Sequence, residues 1–325
     1  MAGFVLRRSA TLLLTLLAAS LLVFGLLELL PGNAAQALMG PDAAPEAVAA
    51  LAEQLGLNAP APTRYWRWLT DLLHGDLGQS AAYSTPVASL IAERLTVTVP
   101  LALLAFAGAA VMALAAGVYA AAHHGRAGDA VVMLFSQLGL AVPNFWFAIL
   151  LILLFSVGLQ WLPSGGFPGW GEGIGAALQA LLLPAVALAV VQAAILARVV
   201  RAAVLELLGD DFVRTARAKG LSRTRVLWRH VLPNAAVPVL TVMGLQFGNL
   251  LAGTVVIETV FTLPGLGRLI FQAIANRDLA VVRSGVLLLV VMVVVVNFVV
   301  DVLAAAADPR VPLSSPSRAG PDAAA

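Results

Sequence analysis

Six runs along the chain carry little or no charge: residues 9–30, 95–122, 130–157, 175–197, 237–257 and 284–300 with its flanks. A helix needs roughly 20 apolar residues to cross the hydrocarbon of a bilayer. Each run meets that length once its flanks are counted. Strand-like alternation is missing, and lipid tolerates only helices or closed barrels, so the runs are predicted to be spanning helices. The expected fold is an all-α polytopic membrane protein with about six transmembrane helices.

The polar segments between the runs set the organisation. Residues 1–30 form an N-terminal region and first span, 31–94 a long outer segment, 95–303 a transmembrane core, and 304–325 a polar tail expected to be disordered. The first run follows Arg7 and Arg8 and precedes Ala35-Gln36-Ala37, which resembles a signal-peptide cleavage site. Its apolar stretch is longer than the roughly 7–15 residues of a signal sequence, so an uncleaved span is expected. Within the outer segment, residues 45–55 read as an amphipathic helix ended by Gly56. Tyr65-Trp66-Arg67-Trp68 then suits a helix lying at headgroup depth, or a cap over loop ends.

Charge gives the orientation. Placing the N-terminus, 122–130, 198–236 and the C-terminus on one side gathers 13 of the 19 Arg and Lys residues there. The positive-inside rule makes that side cytoplasmic and puts both termini inside. Composition agrees: the chain is 61% hydrophobic and only 11% charged, with a mean hydropathy of +0.95.

Several chemistries are disfavoured. The single lysine, Lys219, precedes Gly220, so there is no Walker A loop to hold nucleotide phosphates. The four histidines, His74, His123, His124 and His230, fall in connections or at span ends. That argues against an intramembrane Ser–His dyad, even with Ser164 beside Gly165-Gly166. There is no His-Glu-x-x-His and no cysteine, so neither a catalytic residue nor a metal site is expected in this chain. Glu28, Glu258 and Asp301 lie near predicted interfaces, which fits anchoring better than the proton relay of an ion-coupled secondary transporter acting alone, the alternative reading.

One polar stretch stands out. Residues 210–234, DDFVRTARAKGLSRTRVLWRHVLPN, carry six basic residues between two apolar runs. Gly209 and Asp210 can end one helix and cap the next, residues 211–219 form a short helix, and Gly220 breaks it. Ser222 can cap a second helix running towards Pro233. Phe212 and Ala216 share an apolar edge, while Arg214 and Arg217 crowd a cationic one. Such a lever suits a groove on a protein partner, or anionic lipid headgroups.

Other candidate features lie inside the spans. Pro143, followed by Asn144, kinks the third run. Residues 244, 248 and 252 form a small-residue stripe for close helix packing. Gln192, Gln246 and Asn249 are amides that hydrocarbon penalises unless they find partners or water.

The 210–234 stretch resembles the EAA loop of binding-protein-dependent ABC importer permeases, Glu-Ala-Ala-x-x-x-Gly, nine residues, then Ile-x-Leu-Pro. Ala216, Gly220, Leu232 and Pro233 hold those positions; Arg214, Thr215 and His230 depart from them. Further segments are similar to the B-type permease subunit of the dipeptide, oligopeptide and nickel branch. They are LLHGDLG at 72–78, VPNFW at 142–146, LPSGG at 162–166, ETVFTLPGLGRL at 258–269, Asn276-Arg277-Asp278 and Asp308-Pro309-Arg310. The resemblance implies a type I importer permease (MetI-like) fold in the inner membrane of a prokaryote. It implies a second homologous permease, two ATPase subunits that bind ATP and Mg, and an external substrate-binding protein, with lipid around and no nucleic acid.

On this resemblance the 201–236 loop is the coupling element. Asp211, Phe212, Arg214, Thr215, Ala216, Arg217, Lys219, Gly220, Arg225, Leu232 and Pro233 would dock on an ATPase. The translocation path is expected along Pro143, Asn144, Gln192, Gln246 and Asn249, with Glu258 either at an outer gate or serving as an anchor. Dipeptides, oligopeptides, nickel chelates and glutathione-like solutes all remain open as substrates.

Overall fold

The computed structural model describes residues 2–29, 43–54 and 58–307, with Ala35, Met39, Gly40 and Gly56 besides. Gln36, Ala37, Leu55 and the tail from Asp308 onward, including Asp308-Pro309-Arg310, lie outside the described residues. The described elements are α1 (Ala2–Glu28), α2 (Pro45–Gln54), α3 (Ala61–Leu73), α4 (Val87–Ala122), α5 (Ala127–Ala141), α6 (Asn144–Leu151), α7 (Ile174–Leu208), α8 (Asp211–Ala218), α9 (Arg223–Val226), α10 (Leu232–Val260), α11 (Leu266–Ala275) and α12 (Leu279–Ala307). Among the described residues, five helical stretches are long and apolar enough to span, and α5 with the helical segment after Pro143 makes a sixth if the bent pair counts as one.

The centre is α4 packed along α7. Ala102, Ala105, Ala109 and Ala113 of α4 are buried, as are Ala185, Ala189, Ala193 and Ala197 of α7. A Cβ on Gly117 would meet the Ala197 carbonyl and the Val200 side chain at 2.6 Å. Small side chains let the two backbones approach, which replaces the hydrophobic drive that lipid removes. The stripe expected on α10 is narrower than its spacing suggests. Gly244 and Gly248 face Val300 and Val293 of α12, but Ala252 is exposed, and Gly253 turns instead to Leu188 and Asn144.

Two boundaries differ from expectation. α4 starts at Val87, before the apolar run, because Val87 and Ile91 bury one face of an amphipathic extension with Leu266 and Val281. At about 1.5 Å per residue, its 36 residues reach well past the hydrocarbon. The third run is broken rather than kinked: α5 and the helical segment after Pro143 meet at 105°. Val142 adopts an extended conformation, φ −88° and ψ 122°, as the ring of a following proline favours.

Contacts separate two ends of the bundle. Arg8 pairs with Asp301 at 3.0 Å, and Arg223 donates to the Ala122 carbonyl at 2.8 Å, at one end. At the other, Arg64 pairs with Glu28. Ser80 there donates to Asp278 Oδ2 at 2.5 Å. Tyr65 and Trp68 of α3 are buried against Phe24 of α1, while Trp66 stays exposed, so α3 packs as a cap on the end of α1.

Candidate functional site: the α8 lever and the amide cluster

The segment between α7 and α10 is built by its own termini. Gly209 ends α7, and the Asp210 carbonyl accepts from the Val213 and Arg214 amides; its side chain makes no capping bond. At the other end Gly220 has φ +81°, a conformation that glycine adopts without steric cost. Its N–H donates to the Arg217 carbonyl at 2.9 Å, and that of Leu221 to the Ala216 carbonyl at 3.2 Å. This paired arrangement closes the last turn of a helix. Ser222 then accepts from the Arg225 amide at 3.4 Å and starts α9.

The second helix does not stop at Pro233. Residues Leu227–Val231 form a π-helical turn that leads straight into α10, with Pro233 in its first turn. A proline there has no N–H to leave unpaired, and the wider turn accommodates its ring. α9, the arm beyond Gly220, is therefore continuous with a spanning helix.

Its inner face is apolar. Val213 and Ala216 of α8 are buried with Val226, Leu227 and Val231, against Val118 and Ala121 of α4, Val200, Ala203 and Val204 of α7, and Ala235 and Val239 of α10. Leu221 and Leu232 pack on the same cluster. Ala216 thus points into the protein, and the expected apolar edge reduces to Phe212, which is 38% exposed. The spacing mismatch explains it: the buried pair is 213 and 216, three apart, not 212 and 216. Asp211, Arg214, Thr215, Arg217, Lys219, Gly220, Arg225 and Pro233 are exposed, and Asp211 approaches Arg214 at 3.4 Å.

A neighbouring ion pair was not foreseen. Arg201 of α7 donates from Nε to Asp129 Oδ1 at 2.5 Å and from Nη2 to Oδ2 at 2.7 Å. Gly125 N–H also donates to Oδ2 at 3.1 Å, and His124 lies at the same oxygen. The two-bond fork ties the first turn of α5 to α7. An acid at the start of a helix, just after a basic turn, was the available signal.

Inside the bundle the amides converge. Gln246 Nε2 donates to Gln192 Oε1 at 3.1 Å, and Asn249 Nδ2 donates to Gln246 Oε1 at 2.7 Å. Both glutamines are buried, but Asn249 is exposed. It lies in an open row on α10 with Thr241, Leu245, Ala252, Val256 and Thr259. Asn144 lies against Gly253, one turn further along α10, and Pro143 is exposed at the break.

Glu258 stands apart from the amides. It is fully buried and accepts from Thr98 Oγ1 at 2.6 Å and from the Arg268 amide at 3.0 Å. Thr98 Oγ1 accepts in turn from the Leu266 amide at 2.7 Å. Together they satisfy orphan donors at the N-terminus of α11. A Cβ on Gly265 would overlap the Glu258 carboxylate. The connection between α6 and α7 closes onto this end: Gly166 N–H donates to the Phe261 carbonyl at 2.8 Å, and Trp170 Nε1 to the Thr96 carbonyl at 2.9 Å.

A polytopic helical bundle with an exposed lever at one end and a buried amide pair inside is an architecture suited to a membrane permease. Residues 113–312 match the family of binding-protein-dependent transport system inner membrane components, and residues 1–102 match the N-terminal family of such membrane components. The chain belongs to this permease family. It is 45% identical over 311 residues to a Brucella abortus protein named for a peptide transport system permease, covering 96% of this chain and 99% of that one. It is 40% identical, over the same shares, to the glutathione transport system permease protein of Salmonella paratyphi A. Among solved structures, the inward-facing MetNI methionine ABC transporter matches with a TM-score of 0.54 at 19% identity, over 67% of this chain and 96% of that chain. That likeness shows the fold that the family resemblance implied.

Proposed function

We propose that the chain is the translocation subunit of an importer for dipeptides, oligopeptides or a related small solute, driven by ATPase subunits that dock on α8. The observation that carries this reading is the division of α8. One face is locked into α4, α7 and α10 through Val213 and Ala216, while the opposite face offers Phe212, Arg214, Arg217 and Lys219. A partner gripping the outer face moves three spanning helices as a body, which is how a packed interface transmits a discrete change. Gly220 fixes the angle between lever and span. With the lever on the cytoplasmic side, both termini are cytoplasmic as well.

The open α10 row is the proposed path wall. An amide in a spanning helix is costly against lipid, so the side where Asn249 is exposed faces water or a second permease. Gln192 and Gln246 hold Asn249 in place behind it. Pro143 and Asn144 set the broken segment against the same helix, and Glu258 anchors the outer end instead of lining the path. The substrate class rests on the names of the relatives, and an external binding protein delivers it.

Proteoliposomes holding this chain with a second permease, ATPase subunits and the binding protein test the reading. Peptide uptake should require ATP and all the partners. Uptake by this chain alone, driven by an ion gradient, would show a self-sufficient carrier instead.

A further inference from the structure

The turn between α4 and α5, residues 123–126, stands beside the lever. Val118 and Ala121, near the end of α4, share the buried cluster that holds Val213, Ala216 and Val226. Arg223 of α9 then donates to the Ala122 carbonyl at 2.8 Å. The turn is also braced from within. Gly125 takes φ +74° and donates its N–H to Asp129 Oδ2 at 3.1 Å, and the Arg126 amide donates to the His123 carbonyl at 3.0 Å. His123 lies on the Tyr119 ring, 4.4 Å between centroids, and a Cβ on Gly128 would meet the Tyr119 hydroxyl at 2.8 Å. Asp129 in turn is forked to Arg201 near the root of the lever. The tip itself, residues 124–127, is nevertheless exposed.

What such a tip can meet follows from its side chains. His124, Gly125, Arg126 and Ala127 include no large apolar group to enter a bilayer interface, where anchors are aromatic or long and apolar. Small residues around one cation instead let a second protein surface approach closely. Asp129, the acid of this turn, is taken by Arg201. Arg126 thus stands with Arg217, Lys219, Arg223 and Arg225 as exposed cations at this end of the bundle. We propose that the tip is a second contact for the ATPase that docks on α8, meeting an acidic surface beside the seat of α8. Complementary charge there fixes the register of the two chains. The consequence is mechanical. α5 follows the tip directly and joins α7 through Asp129 and Arg201. A partner touching both α8 and the tip therefore moves the broken span of α5 and α6 together with α7 and α10. The inference rests on the reading that an ATPase docks on α8.

Photo-crosslinking in the assembled, membrane-embedded transporter tests it, with a photoreactive residue in place of Arg126 or Ala127 and the Phe212 position as reference. Both tip positions are exposed, so the replacements leave the fold intact. Adducts with an ATPase subunit are expected from both. ATPase adducts from position 212 with none from the tip would overturn the second contact and leave docking on α8 standing. ATPase adducts from none of the three would overturn both, and lipid adducts alone from the tip would assign it to the membrane surface instead. Charge is tested separately. Arg126→Glu should release the ATPase subunits from the solubilised complex at lower salt than wild type does, with the unfolding temperature of the chain unchanged. Equal salt resistance would overturn the acidic character of the partner surface.

Discussion

Arg201 and Asp129, 72 positions apart, are joined by two parallel hydrogen bonds at the end of the bundle that carries α8. The pair fixes α5 to α7 just where the lever leaves α7. Removing either charge strands the other in a setting where Asp129 is 7% exposed. Asp129→Asn and Arg201→Gln should each lower the thermal unfolding temperature of the purified chain. The double variant should lose less than the sum of both, because the two act as one unit. Additive losses would show that the pair contributes no mutual stabilisation.

Gly220 closes α8 at φ +81°, with open space where a side chain would go. The cost of a side chain there is therefore backbone strain, about 1–2 kcal/mol for most residues. Asparagine tolerates this conformation better than a β-branched residue. Gly220→Val should reduce ATP-dependent uptake in the assembled transporter, and Gly220→Asn should keep most of it. Full uptake by the valine variant would remove Gly220 from the coupling mechanism.

Glu258 and Thr98 together cap α11. Glu258→Leu leaves the Thr98 hydroxyl and the Arg268 amide without their acceptor, at about 1–3 kcal/mol for each buried group. Gly265→Ala forces a methyl group into the carboxylate. Both variants should unfold at lower temperature than wild type, as followed by circular dichroism of the detergent-solubilised chain. An unchanged unfolding temperature for Glu258→Leu would show that the cap does not hold this end of the bundle.

The chain has no cysteine, so single cysteines report their surroundings without background. In the assembled transporter, Asn249→Cys and Leu245→Cys should react with a membrane-impermeant thiol reagent. Gly248→Cys, facing Val293 of α12, should not. Protection of position 249 together with 245 would place that row against lipid or a dry interface and away from the path.

The spans were legible because lipid dictates their apolar length, and the lever was legible because six basic residues interrupt the pattern. Helix ends were less so. Val87 and Ile91 extend α4 through two inward side chains that an apolar window averages away. The proline at 143 announced a kink, but the 105° break depends on Val142 being extended. Ala216 was misplaced on α8 because the helix turns 213 and 216 inward, a choice set by Val118, Val200 and Val204 on distant elements. The pairs Asp129–Arg201, Thr98–Glu258 and Ser80–Asp278 join residues far apart in the chain, and only the packed structure brings them together.

The outward face of α8 is the central claim, and site-specific photo-crosslinking tests it most directly. A photoreactive residue at Phe212 or Arg217 in the assembled, membrane-embedded transporter should form an adduct with an ATPase subunit. The same group at Leu14 on α1, exposed on the outside of the bundle, should not. Lipid adducts alone from Phe212 and Arg217 would contradict the coupling role and leave α8 as a headgroup anchor.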